Sequence, residues 1–387
     1  MKKKTDPVTT PRHCEERSNP LERAGERIKI AFLTPEYPHP KTGSSGGIGT
    51  SIKNLAIGML AQGCSVRVLI YGQEEEGILD DNGIIIQQIR NVKVKGLSWW
   101  LTRKKLERII NQLYAEEEID LVEAPDWTGI TSFIQPRKCP IVIRLNGSDT
   151  YFCHLDHRPV KWVNKFHERR ALQKADGLIS VSQFTADLTK EVFGLQKEFT
   201  IIPNSIDVDL FNDNSNDNEK NVILYFGSLI RKKGLLELPF IFNEVVRKNP
   251  EVQLLLIGKD VSDVITGNPS TWAMMQSQFT AEAMRNTSYL GSVSHQEIKD
   301  YIKASTLCIF PTFAEALPVS WIEAMAMQKP IVASNIGWAN EIIEDGLEGF
   351  LVHPEDHIQY AKRILELLEN SKLQIQFGIN AKKKNYR

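Results

Sequence analysis

The sequence predicts an α/β protein built from two doubly wound, Rossmann-like parallel-sheet domains that face a common cleft. Three observations predict it. From Ile28 onward, short apolar runs alternate with helix-patterned stretches, the rhythm of a parallel sheet covered on both faces. A polar run, FNDNSNDNEK, interrupts the rhythm after Asp207, and the rhythm then restarts. The length, 387 residues, suits two cores. Domain one is therefore placed at residues 28–207 and domain two at 208–387. Residues 1–27, polar and without periodicity, are expected to be a disordered leader.

The elements follow in order. IKIAFLTP is short and apolar and stops at Pro35, so it reads as a buried strand. The loop EYPHPKTGSSGGIG leads to a helix, TSIKNLAIGMLAQG, with Ile52, Leu55, Ala56, Met59 and Leu60 at helical spacing and Gly63 at its C-terminus. SVRVLIYG, DLVEAP, PIVIRLNG, ADGLISVS and FTIIPNS are the further strands of domain one. Domain two restarts with NVILYFGSL, a helix after Gly234, VQLLLIGKD, TSYLGSV, STLCIFPT, KPIVASN and GFLVHP. In such sheets ligands bind beyond the carboxyl ends of the strands. With two domains, the natural site is the cleft between them.

Composition excludes several classes. A formal net charge of −1 argues against a bulk nucleic-acid binder. Five scattered cysteines with no CxxC pair indicate neither a zinc site nor a disulfide framework, so a reducing compartment is expected. MKKKTD is not followed by an apolar core, so it is no secretory signal, and no apolar run reaches the ~18 residues of a spanning helix. The expected location is the cytoplasm, with peripheral contact at the inner membrane face kept open by one segment below.

Chemistry concentrates at strand ends. In TFAEALPVSWIEAMAMQKPIVAS, Glu315 and Glu323 lie eight residues apart around Pro318, whose fixed φ suits a helix start. The helix start offers backbone N–H groups around Leu317, Val319 and Ser320, a ready anion site. Eight helical residues rise about 12 Å. Paired acid–base carboxylates stand closer, at roughly 5–9.5 Å. The spacing fits one long ligand with hydroxyls at both ends and a diphosphate between, or equally a helix with a capping acid and a solvated glutamate. In YFGSLIRKKGLLEL, Gly227 and Gly234 bracket Ser228 and three cations, Arg231, Lys232 and Lys233, suited to phosphate or to a solvated loop.

In domain one, Gly46 and Gly47 sit in GSSGGIG, which lacks the GxGxxG spacing but lets a backbone approach a ligand closely. RLNGSDT places Asn146 and Asp149 on the opposite wall, and PNSID, with Asn204 and Asp207, reads as a domain hinge; turn chemistry explains both equally. HLDHRP is treated as a surface turn, not a metal site. GLSWWLTRKKLERII combines Trp99 and Trp100 with Lys104 and Lys105; it reads as an amphipathic surface helix with buried tryptophans or, as the lesser reading, as a contact with an anionic membrane surface.

Taken together, these motifs resemble the retaining glycosyltransferases of family 4, which have the GT-B fold. The resemblance runs from about Ile28 to about Asp356. It rests on YLGSVSHQEIKDYIKASTLCIFPTFAEALPVSWIEAMAMQKPIVASNIGWANEIIEDGLEGFLV with its E-x(7)-E pair, on IIPNSID and on GGIGTSIKNLAIGMLAQGCSVRVL. It implies that Glu323 holds the ribose of a nucleoside-diphosphate sugar and Glu315 the sugar hydroxyls. Backbone groups from Leu317 to Ser320 would hold the diphosphate or sugar, Lys233 with Arg231 would neutralise the leaving diphosphate, and Val293 would lie near the base. Gly46 and Gly47 would approach the phosphate or sugar from domain one, and Asn146 and Asp149 would line the acceptor side. It also implies transfer to a hydroxyl of a glycan or lipid-linked acceptor, with no metal and no cofactor beyond the sugar donor.

Three departures stand against the pattern. Ser228 occupies a position where the family often has arginine. Asn146 stands where many members carry histidine, so no titrating base is available there. The chain ends at Arg387, where relatives often continue a helix back to domain one. The alternatives are a non-catalytic nucleotide-sugar-binding partner subunit, a GT-B nucleotide-sugar epimerase and, more remotely, a two-lobed periplasmic binding protein.

Overall fold

The computed structural model describes residues 27–43, 45–207, 210–211 and 221–385. The expected leader, Arg27 excepted, and the polar linker, Phe211 excepted, lie outside the described residues.

Domain one contributes strands β1 (Lys29–Thr34), β2 (Ser65–Gln73), β3 (Gly77–Asp81), β4 (Ile84–Arg90), β5 (Leu121–Pro125), β6 (Ile141–Leu145), β7 (Gly177–Ser180) and β8 (Thr200–Ile201). Domain two contributes β9 (Val222–Phe226), β10 (Gln253–Ile257), β11 (Thr287–Tyr289), β12 (Leu307–Phe310), β13 (Ile331–Ser334) and β14 (Gly349–Val352). The first sheet runs β3-β4-β2-β1-β5-β6-β7-β8 and the second β11-β10-β9-β12-β13-β14. Among the described residues every pairing between these strands is parallel except β3 with β4. The apolar runs are continuous because helices cover both faces; every residue of β12 and β13 is buried.

The β3–β4 hairpin is absent from the sequence reading. Its signal is Asn82-Gly83, both at positive φ (54° and 91°), the geometry that a tight hairpin turn requires. The tryptophan-bearing segment forms the helix Ser98–Ala115, but its tryptophans are not buried: Trp99 is 45% and Trp100 39% exposed. Thr102, Leu106, Ile110 and Leu113 make the buried face instead. The last helix, Ser371–Asn385, packs on domain two through Phe377 and Ala381. Among the described residues no helix is long and apolar enough to cross a membrane.

The topology itself points to the site. Strand order reverses between β1 and β5 in the first sheet and between β9 and β12 in the second. A doubly wound sheet opens its ligand crevice at such a reversal. The loops after β1, β5, β9 and β12 are those that carry Gly46, Asp126, Lys233 and Glu315.

Candidate functional site

The loop after β9 is shaped by glycine. Gly234 has φ +72°, and a Cβ there would lie 1.6 Å from the carbonyl oxygen of Pro311. Only glycine lets the 3₁₀ turn Arg231–Lys233 settle against the end of β12. The Lys232 carbonyl then accepts the N–H groups of Phe313 (2.9 Å) and Ala314 (3.1 Å), bolting the two loops together. The result is an ion pair: Lys233 Nζ stands 2.9 Å from Glu315 Oε1, with side chains 22% and 17% exposed. Burial pushes the Glu315 carboxyl up, but Lys233 and Lys232 outweigh it and hold the group below its ordinary value. Lys232 is pushed down by burial, and its ammonium sits 3.3 Å from the centre of the Phe152 ring in domain one.

Arg231 does not join this pair. Its Nε and Nη2 bond both oxygens of Asp263 at 2.8 Å. The buried Asp263, held well below the usual carboxylate range by Arg231, also accepts from Thr266. In this arrangement the Arg231–Asp263 pair braces the loop after β10. Ser228 places its carbonyl on the Tyr225 hydroxyl at 3.0 Å.

After β12, Pro318 is the N-cap of the helix Val319–Ala326, one position earlier than expected, and no side chain caps that helix. Its first turn carries Val319 and Ser320, and Glu323 lies one turn in, almost fully buried. Val293 sits before the helix His295–Ala304, half-buried against the domain-two core.

Four residues of domain one hold this loop, of which sequence reasoning named Asn204 alone. Tyr151 Oη donates to the Glu315 carbonyl (2.8 Å), Ser182 and Thr185 hydroxyls to the Ala316 carbonyl (3.1 and 3.0 Å), and Asn204 Nδ2 to the Leu317 carbonyl (2.8 Å). Asn204 also accepts from Ser51 of the helix Gly47–Ala61, so the segment read as a hinge ties three elements together. Glu341 of domain two accepts the N–H groups of Gln183 and Phe184, both at 2.8 Å, at the start of the helix Gln183–Phe193. Isolated hydroxyls and an acid in ordinary helices give no sequence signal for such contacts.

Domain one's wall is organised by buried acids. Gly46 is the N-cap and Gly47 the first residue of the helix Gly47–Ala61. Glu36, also missed, reaches that helix start and accepts the Gly49 N–H at 3.0 Å. Its oxygens lie 3.2–3.3 Å from where a Cβ on Gly46 would be, so the glycine admits this carboxylate. A Glu36 oxygen at this helix start can accept a hydrogen bond from a hydroxyl brought close to the two glycines. Asn146 donates its N–H to Asp126 (2.9 Å). Burial pushes Asp126 up to about 7, against the Asn146 and Gly147 N–H groups and with the help of nearby Glu168. Glu168, likewise pushed up by burial, accepts the N–H groups of Thr128, Asp149 and Thr150. The Asp149 carboxylate is taken by Asn164 Nδ2 (2.9 Å) and faces Arg158 at 3.6 Å.

The family models that match are Glycosyl transferases group 1, over residues 208–384, and Glycosyltransferase Family 4, over residues 45–210. An uncharacterized glycosyltransferase of Methanocaldococcus jannaschii is 21% identical over 92% of this chain and 92% of its own. The alpha-maltose-1-phosphate synthase of Mycolicibacterium smegmatis is 24% identical over 89% of each chain. Among solved structures, Anabaena HepE in complex with UDP-glucose superposes with a TM-score of 0.71 at 20% identity, over 93% of this chain and 94% of that one.

Proposed function

Because this chain belongs to the group 1, family 4 glycosyltransferases and has their GT-B fold, we propose that it moves a sugar from a nucleoside-diphosphate donor to a hydroxyl of a glycan or lipid-linked acceptor, with retention at the anomeric carbon. The observation that carries the reading is the Lys233–Glu315 pair beside the uncapped start of the helix Val319–Ala326.

The donor diphosphate lies at that helix start, where N–H groups and the helix dipole favour anions. Lys233 turns from Glu315 toward the diphosphate as negative charge grows on it, which stabilises the transition state more than the ground state. Glu315, kept ionised, accepts from sugar hydroxyls, and Glu323 from the ribose. The bond from the anomeric carbon to the diphosphate breaks, and the acceptor oxygen bonds that carbon on the same face. The acceptor's proton passes to the diphosphate oxygen, so no base at Asn146 takes part, and Lys233 with the helix start supplies the positive charge that a metal would otherwise supply. The UDP-glucose bound to Anabaena HepE makes uridine the first base to test.

The test is a thermal-shift panel of uridine, guanosine, adenosine and thymidine diphosphates on wild type and Glu323→Ala. A ligand that binds only the folded state raises its apparent stability. One diphosphate should stabilise the wild type and lose about ten- to a hundredfold in affinity in the variant. Silence across the panel refutes the donor site. Binding without nucleotide release from any matching sugar donor identifies a non-catalytic binder instead, and the product anomer, read by NMR, decides retention.

A further inference from the structure

The helix Trp162–Lys174 of domain one carries an apolar stripe that core packing does not explain. Its buried residues are Glu168, Ala171 and Leu172. On the other side Trp162 is 76%, Phe166 47% and Val163 41% exposed, and these positions share one face at helical spacing. The stripe does not end at this helix. Phe166 lies 6.4 Å from Phe133, Phe133 lies 5.6 Å from Trp99, and His167 lies 5.4 Å from both Trp99 and Phe166. Half-exposed Trp99 therefore belongs to the same aromatic surface, which spans two helices, and half-exposed Trp100 follows it in the chain. A contiguous exposed apolar patch of this kind on a folded chain marks a contact surface.

The charge around it is not where the sequence placed it. Lys104 is paired with Glu107 at 2.9 Å and Lys105 with Glu76, so both are largely neutralised. Lys161, Lys165 and Arg169, one turn apart along the outward helix, are exposed and carry no ion pair among the described residues. We propose that this face docks on an anionic bilayer surface. The rings of Trp162, Phe166, Trp99 and Trp100 with Val163 enter the interface, and Lys161, Lys165 and Arg169 reach lipid phosphates. Tryptophan at the polar boundary and long cationic side chains snorkelling beside it fit that environment. A neutral glycan would leave the cations and the aliphatic Val163 without partners.

The geometry also links docking to the acceptor side. Asn164 of the same helix bonds Asp149, and Glu168 holds the Asp149 and Thr150 N–H groups. The helix thus faces the bilayer with one side and supports the wall read as the acceptor side with the other. This deepens the acceptor half of the proposed function: the acceptor is presented from the membrane.

The test is co-sedimentation of the full chain with phosphatidylcholine vesicles, with and without phosphatidylglycerol, in the absence of donor and acceptor. A failed result therefore stays separate from a failure of transfer. The wild type should pellet with phosphatidylglycerol vesicles alone and be released by salt, since the attraction is screened over about 8 Å at physiological ionic strength. Lys165→Gln should weaken binding about fivefold, and the Trp162→Ser/Phe166→Ser pair more than about tenfold. Both variants change exposed side chains, so melting temperature and nucleotide binding should stay at wild-type values. Absence of pelleting, or pelleting that survives the Trp162→Ser/Phe166→Ser change, overturns the proposal. A dimer in light scattering that this pair of changes dissolves overturns it too, by assigning the face to a second copy of the chain.

Discussion

The two walls of the cleft are made by opposite means. In domain two, backbone constraint does the positioning. Gly234 and Gly258 hold positive φ where a Cβ would strike another main chain, at 1.6 and 1.9 Å, so close main-chain contact sets the loops and the Arg231–Asp263 pair braces them. Lys233 and Glu315 are left paired with each other and reachable. Domain one has one such approach, Gly129 against the His167 main chain at 2.3 Å, but there side chains do more of the positioning: Glu36, Asp126 and Glu168 are spent on main-chain N–H groups. What faces a ligand there is hydrogen-bonding surface with little free charge. Under the proposed function the difference divides the chemistry: the wall whose exposed charges pair only with each other would answer charge growing on a leaving group, and the wall whose acids are spent on main-chain N–H groups would present a shape.

Removing the mobile charge should therefore have the largest effect. Lys233→Ala is expected to lower kcat by about a hundred- to a thousandfold, with nucleotide affinity changed much less. Steady-state kinetics with the donor found by the thermal-shift panel checks it; a loss below tenfold would assign the charge to another group. Next comes the backbone. Gly234→Ala adds a Cβ at a positive φ against the Pro311 carbonyl and should cost about 2–4 kcal/mol of stability. In domain one, a Cβ on Gly147 would meet the end of the Phe152 ring at 2.5 Å, a side chain and not a main chain. Gly147→Ala should cost less, about 1–2 kcal/mol. Urea midpoints decide the ranking, and the reverse order would break the contrast between the walls.

The acids of domain one give the third effect. Asp126 has a folded pKa of about 7, raised above the ordinary carboxyl range. Between about pH 4 and 7 the folded chain keeps a proton that the unfolded chain has released. Stability from this group is thus fully present below about pH 4, falls as pH rises to about 7 and is level above it, a change of up to a few kcal/mol. Asp126→Asn should remove that part of the slope while preserving the Asn146 N–H contact. An unchanged difference in urea midpoint between pH 5 and 8 would show that Asp126 is ionised throughout.

Much of domain two was legible for the same reason that it is rigid. Glycines at fixed intervals, a proline at the helix start and two glutamates are one-residue signals, and strands buried on both faces leave continuous apolar runs. Domain one's site was legible only in outline. Asn146 and Asp149 were read from a turn, but the acids that hold that turn, Asp126 and Glu168, lie 20 and 19 residues away and are defined by burial that no local pattern records. The partner of Arg231 was not legible, because a basic loop does not announce its acid and Asp263 is 32 residues further on. The hairpin β3–β4 was readable from Asn82-Gly83 alone.

The smallest expected effect tests how the walls are joined. Tyr151 is fully buried, and its hydroxyl donates to the carbonyl of Glu315, the residue that also holds Lys233. Tyr151→Phe keeps the ring, its packing against Phe152 and its neighbour Ala314, and deletes the hydrogen bond to Glu315 across the domains together with the 3.3 Å one to Thr185 Oγ1 inside domain one. The cost should be about 1 kcal/mol. The Ala316 and Leu317 carbonyls keep Ser182, Thr185 and Asn204, so the loop should stay in place and nucleotide affinity should hold. If Glu315 is set by domain two alone, kcat will be untouched and only the melting temperature will fall. If domain one helps to aim it, kcat will drop several-fold with the nucleotide affinity unmoved. That split would mean the shape-giving wall tunes the charged one through a single main-chain carbonyl.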